Sequence, residues 1–278
     1  MRLGISTFPT GDSIDIRALG RALEERGYES LFVPEHTHIP ARPETVTPGG
    51  RDVPDEFRRT PDPFVVLGAV AACTERLLLG TGVCLVVERD PIITAKEVAT
   101  VDFLSGGRFL FGVGGGWNRQ EMGNHGTAFS TRFALLRERV QAMKEIWTHD
   151  EAAFHGTFVD FDAIWQWPKP TQRPHPPVLV AGNGPASMAR AVDYGDGWMP
   201  IAGRADTAED FETLQKLAAE AGRGPIPVTV FGAPPKPAVL EGYAAAGVER
   251  ALIALPSAPE ADSLRRLDRY AELIATVA

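Results

Sequence analysis

Short apolar runs alternate with amphipathic segments from one end of this chain to the other, and that rhythm restricts the fold more than any other property of the sequence. The runs expected to be strands are Leu3–Phe8, Ser30–Pro34, Leu77–Val83, Phe109–Val113, Val178–Ala181, Gly197–Ile201, Val228–Phe231 and Ala251–Leu255, and a helical pattern follows each. Strands buried on both faces and joined by helices make a parallel sheet. Eight such units in about 250 residues are what a (β/α)8 barrel requires. The chain has 278 residues, 44% of them hydrophobic and 23% charged, enough to bury a full core. With no internal linker visible, residues 1–278 read as one domain, a TIM barrel.

Several boundaries are written in local chemistry. Asp12 or Ser13 can cap the first helix, Asp62-Pro63 puts a capping oxygen before a proline at the first helical turn, and Ser130 or Thr131 precedes a long helix over 133–147. The segment Phe64–Cys73 is apolar on nearly every face, so a subunit interface is expected to cover part of it. Two stretches break the rhythm. Glu35–Thr60, rich in Pro, Gly and Arg, reads as a long loop after strand two, and the alternation of Phe154, Phe158 and Phe161 within Ala152–Pro170 reads as a small hairpin. Loops of that length in a compact domain usually wall or cover a site.

Composition removes several function classes. The net charge of −8 and a pI near 5.3, with no Lys/Arg cluster interleaved with aromatics, argue against nucleic acid as a partner. No segment approaches the roughly 18 apolar residues of a membrane span, and the N-terminus lacks a signal peptide's apolar stretch. Cys73 and Cys84 have no metal or redox spacing and read as reduced core residues of a cytoplasmic protein, and no metal site is expected. Neither a Gly-x-Ser-x-Gly elbow nor a His-Glu-x-x-His helix is present. Glu35, Glu88 and Glu121 lie near strand ends but form no recognisable pair for glycoside chemistry.

In a barrel of this kind chemistry sits at the carboxyl ends of the strands. Strand two ends in Pro34-Glu35-His36-Thr37-His38, and a histidine there can serve as acid or base near neutral pH. His36 is the catalytic candidate and His38 a neighbour in the pocket. Strand three ends in Gly80-Thr81-Gly82-Val83. Strand four runs into Gly114-Gly115-Gly116-Trp117, an elbow without Cβ atoms beside an indole, either a tight turn or a seat for a planar cofactor. Strand five runs into Gly182-Asn183-Gly184 with a helix opening at Pro185, an arrangement whose free amides suit a phosphate. It lacks the third glycine and the acidic residue of a dinucleotide fingerprint. Trp198, Phe8 and Trp165 face either core or ligand.

Taken in order, these motifs resemble the luciferase-like monooxygenase superfamily, and within it the compact branch linked to the deazaflavin coenzyme F420. The resemblance covers nearly the whole chain. It rests on Pro34-Glu35-His36, Leu79-Gly80-Thr81-Gly82-Val83, Asp90-Pro91 with Ala95-Lys96, and Asp102-Phe103-Leu104-Ser105-Gly106-Gly107-Arg108. It continues through Gly112-Val113-Gly114-Gly115-Gly116-Trp117 with Glu121, Phe154-His155-Gly156, Pro168-Lys169-Pro170 and Asp196-Gly197-Trp198.

What the resemblance implies is a cofactor ring at the carboxyl face against Thr81, Gly82 and Val83, with a non-proline cis peptide at Gly82-Val83. Gly114, Gly115, Trp117 and Trp198 would line the ring, and Gly182, Asn183 and Gly184 would hold the phosphate. His36 would face the reactive edge, and Phe8, His38 and Trp165 the substrate. A homodimer is also implied. Relatives that oxidise sugar phosphates carry a glutamate acid where Trp117 stands, so that activity is not expected. The implied reaction is hydride transfer between F420 and a small organic substrate. The alternatives are a two-component monooxygenase using FMN from a separate reductase, and a non-catalytic barrel that stores a flavin-like ligand.

Overall fold

The computed structural model describes all residues except Pro43, Thr45, Val46, Pro48, Gly49, Arg51, Ala205, Asp206 and Ala278. Eight parallel strands form the barrel: β1 (Arg2–Ser6), β2 (Ser30–Val33), β3 (Leu78–Thr81), β4 (Phe109–Val113), β7 (Val178–Ala181), β8 (Gly197–Met199), β9 (Thr229–Phe231) and β10 (Arg250–Ala254). Between β4 and β7 lies an antiparallel hairpin, β5 (Glu151–His155) with β6 (Asp160–Trp165). The helices are α1 (Ile16–Glu25), α2 (Asp55–Arg59), α3 (Pro63–Ala71), α4 (Pro91–Ser105), α5 (Arg119–Asn124), α6 (Arg132–Thr148), α7 (Pro185–Tyr194), α8 (Ala208–Glu220), α9 (Pro237–Ala245), α10 (Glu260–Ala271) and α11 (Ile274–Val277).

Around the barrel the strands run β8, β7, β4, β3, β2, β1, β10, β9. Parallel bridges from Trp198 to Val228 and from Ile201 to Phe231 join the two ends, so the expected (β/α)8 architecture is present. Inside, Phe32, Leu110, Leu179, Met199 and Leu252 fill the barrel, and the larger apolar layer lies between strands and helices. Small residues are required where strands approach closely. A Cβ at Gly112 would collide with the Thr81 carbonyl oxygen, and one at Gly80 with the Phe32 ring.

Local expectations fared unevenly. Asp62 caps α3, accepting from Phe64 N and Val65 N, with Pro63 in the first turn as read. The cap of α1 is instead Asp15, because the Ser13 hydroxyl is used in a turn with Thr10. Thr131 stands at the start of α6 but turns its hydroxyl back to Ala128 O. Cys84 is buried, whereas Cys73 follows the end of α3 and is only partly buried, so it is not a core residue. Helix α3 packs much of its apolar surface within the chain, against α1 and α4, leaving Val65 exposed. The Glu35–Thr60 segment, part of which lies outside the described residues, contains the short helix α2.

Candidate active site

At the carboxyl end of β2 the chain turns outward through Pro34, Glu35 and His36, carrying the His36 ring into the mouth of the barrel. The ring is held from behind: Nδ1 lies 2.8 Å from Glu121 Oε2, and both side chains are buried, 5% and 1% exposed. Glu121 comes from α5, whose first turn is fixed by Asn118, an N-cap accepting from Gln120 N and Glu121 N. Its other oxygen accepts from Thr37 N at 2.9 Å. A carboxylate only accepts, so Nδ1 carries the hydrogen and Nε2 is left with its lone pair; among the described residues Nε2 has no hydrogen-bond partner.

Aromatic rings surround this imidazole. Phe57 stacks on it at 4.9 Å and Trp117 meets it edge-on at 5.6 Å, while Phe8 stacks on Phe57 at 4.4 Å. A cavity of about 270 Å³ opens beside them, lined by Thr7, Phe8, Pro34, Glu56, Phe231 and Leu255 among others. Walls of this kind exclude water from a polar group that exchanges a proton.

Behind the dyad is a second buried carboxyl, Glu88. Burial and the neighbouring carboxylates Glu121 and Glu35 raise its pKa to about 8. Thr37 Oγ1 lies 3.4 Å from Glu88 Oε2, 2.9 Å from His38 Nδ1 and 2.8 Å from His125 Nε2. His38 also meets Asn124 at 2.7 Å, so it belongs to this outer rim rather than to the aromatic mouth. Glu35 is occupied otherwise, accepting from Leu85 N and from Arg89, both at 2.6 Å.

The strand ends expected to hold a cofactor are all at this face. The Gly82–Val83 peptide is cis. Thr81 is buried with its hydroxyl donated to Gly112 O at 2.7 Å, and a Cβ at Gly82 would meet the Phe231 ring at 2.8 Å. In the glycine elbow the absent Cβ atoms make room for the protein itself: those of Gly114 and Gly115 would meet Val83 and Phe133, both at 2.6 Å. At the end of β7, Gly182 (φ 135°) and Gly184 (φ 76°) take backbone shapes that glycine alone adopts readily, and no side chain among the described residues caps α7. Asn183 donates to Ile201 O, bracing the loop. Trp198 is fully buried behind it and donates to Gly182 O and Ser187 Oγ, each at 3.0 Å. Trp165 is 78% exposed on the hairpin that lies along α6, bonded to Glu151, and is not part of the mouth.

The sequence reading set Glu88 and Glu121 near strand ends without joining either to His36, and gave no role to Phe57, Thr37 or His125. One signal for Glu121 was available: Asn118 three residues before an acid is a helix-start pattern that fixes where the acid points.

The description "luciferase-like monooxygenase" belongs to the family model that matches residues 1–274. An uncharacterized protein of Mycobacterium tuberculosis is 39% identical over 283 residues, covering 99% of both chains. Among solved structures, the monooxygenase RslO1 from Streptomyces bottropensis superimposes with a TM-score of 0.79 at 22% identity, covering 99% of both chains. An F420-dependent secondary alcohol dehydrogenase, in complex with an F420-acetone adduct, does so with a TM-score of 0.78 at 18% identity, covering 100% of this chain and 99% of that one. The chain belongs to the luciferase-like monooxygenase family of enzymes.

Proposed function

We propose that the protein is an F420-dependent oxidoreductase that moves a hydride between the deazaflavin and a small, largely apolar organic substrate. The observation that carries this reading is the His36–Glu121 dyad, set among Phe8, Phe57 and Trp117 at the barrel mouth with Nε2 unpartnered among the described residues. The structural likeness to an enzyme crystallised with an F420-acetone adduct supports it. When bound, the deazaflavin supplies the redox chemistry. The residues present fit such a group: the N-terminus of α7, which no side chain among the described residues caps, suits its phosphate with Gly182, Asn183 and Gly184, and Trp117, just past the end of β4, sets an aromatic wall edge-on to His36.

His36 Nε2 takes a proton from a substrate hydroxyl, or returns one to a carbonyl oxygen, as the hydride moves. Glu121 holds the ring in the tautomer that does this and stabilises the imidazolium that forms. Phe57 and Phe8 keep water from the exchanged proton. Trp117 transfers no proton, so a sugar-phosphate dehydrogenase reaction that needs an acid there is outside this reading. The partner, besides substrate, is a second copy of the chain, and the compartment is the cytoplasm.

The second reading is a monooxygenase using FMN from a partner reductase, favoured by the likeness to RslO1. Oxygen uptake separates the two: turnover of a carbonyl substrate with reduced F420 under strict anaerobiosis supports hydride transfer. Activity that needs oxygen and reduced FMN supports the alternative. A barrel that only stores its ligand predicts tight binding and no turnover in either assay.

A further inference from the structure

Three buried carboxylates, Glu35, Glu88 and Glu121, meet behind His36, and they are not equally provided with partners. Glu35 receives Leu85 N–H and the Arg89 guanidinium. Glu121 receives His36, Thr37 N–H and, at 3.4 Å, His38 N–H. Glu88, on the turn after β3, has a side chain 1% exposed and, among the described residues, receives neither a backbone N–H nor a cation in close contact. Among the described residues its Oε1 is buried without a partner, and its Oε2 has only the Thr37 hydroxyl at 3.4 Å and His125 Nε2 at 3.9 Å.

The cations nearest it are bound to other groups. Arg89, the next residue, is engaged by Glu35, Asp62 and Glu97. Arg139 of α6 directs Nη1 to the carbonyl of Val86, within the same turn. The single hydrogen of the Thr37 hydroxyl is shared among Glu88, Glu121, His38 and His125, so it cannot satisfy two carboxylates together. Two like charges so placed in a buried site cannot both persist, and the one that receives no N–H takes a proton.

We propose that Glu88 is the counter-titrating partner of His36, a positioning residue that holds a proton while His36 is neutral and releases it to solvent through Thr37 and His125 when His36 gains one. This rests on the reading that His36 exchanges a proton with substrate. The balance is simple: one proton enters at His36 Nε2, one leaves Glu88 Oε2, and the net charge of the buried cluster is unchanged. In the reverse direction both steps reverse. The way out exists, since Thr37 is exposed and the His125 side chain is 31% exposed.

The test uses the full chain without cofactor, so its failure is separate from failure of the cofactor reading. Carboxyl ¹³C NMR, with Glu88→Gln assigning the resonance, is expected to show Glu88 titrating with a midpoint near pH 8. The His36 ring-carbon resonance is expected to move as Glu88 ionises, a response lost in Glu88→Gln. If that variant does not fold, Thr37→Val on the exposed rim replaces it: removing the hydroxyl that favours the charged form should move the Glu88 midpoint upward. A Glu88 midpoint in the ordinary carboxylate range, a His36 curve indifferent to Glu88, or a midpoint unmoved by Thr37→Val overturns the proposal.

Discussion

The 2.8 Å contact between His36 Nδ1 and Glu121 Oε2 decides which ring nitrogen meets the substrate, and two predictions follow from it. His36→Ala should lower kcat by about 10²-fold while leaving cofactor affinity nearly unchanged, because general acid-base help is lost and binding contacts are not. Glu121→Gln should also lower kcat by about 10²-fold. Its amide can satisfy Thr37 N–H yet no longer stabilises an imidazolium, and ¹⁵N NMR should show His36 losing its fixed tautomer. Steady-state kinetics with parallel cofactor titrations checks both. Glu88 gives a third prediction through stability. Its folded pKa, about 8, is above the ordinary 4.5, so the folded state holds the extra proton. The stability this confers is present below about pH 4.5 and is lost as pH rises toward 8. Wild type should therefore weaken relative to Glu88→Gln over that window in urea unfolding, and parallel curves would contradict it. His36 was legible because it follows an apolar strand directly. Its partner was not, because Glu121 is 85 positions away and only the barrel brings the two together.

Among the elements, the strands were the most legible, since burial on both faces writes them as unbroken apolar runs. Their ends were less so: β3 stops at Thr81, short of the expected Val83, because the chain departs from regular pairing at Gly82 and resumes with a bridge from Cys84 to Val113. Helix α2 was invisible, being five residues long with none buried, yet it delivers Phe57 to His36. The glycine elbow shows how one pattern supports two readings: Gly114 and Gly115 are demanded by Val83 and Phe133, which sequence alone cannot place beside them. Caps follow the same logic. Asp62 both caps α3 and pairs with Arg89, so Asp62→Ala should cost about 1 kcal/mol or more of unfolding free energy by chemical denaturation. Asp12→Ala, which removes an expected cap that is not one, should cost α1 nothing.

For the whole molecule, the barrel order and the family were legible, while what the outer surface meets was not. Val65 on α3 and Ile93, Phe103 and Leu104 on α4 are 57–74% exposed, an apolar face suited to a second copy. Sedimentation should give a dimer for the wild type and a monomer for Val65→Asp with Phe103→Glu; a wild-type monomer would remove the second copy from the account. On the proposed reading, the mouth of this barrel takes a deazaflavin that exchanges a hydride beside His36. The measurement that tests it most directly is a calorimetric titration of the apoprotein with oxidised F420 and, in parallel, with FMN. The expected result is F420 binding at least about tenfold tighter, a difference of about 1.4 kcal/mol. Tighter binding of FMN, or no binding of either, would contradict it.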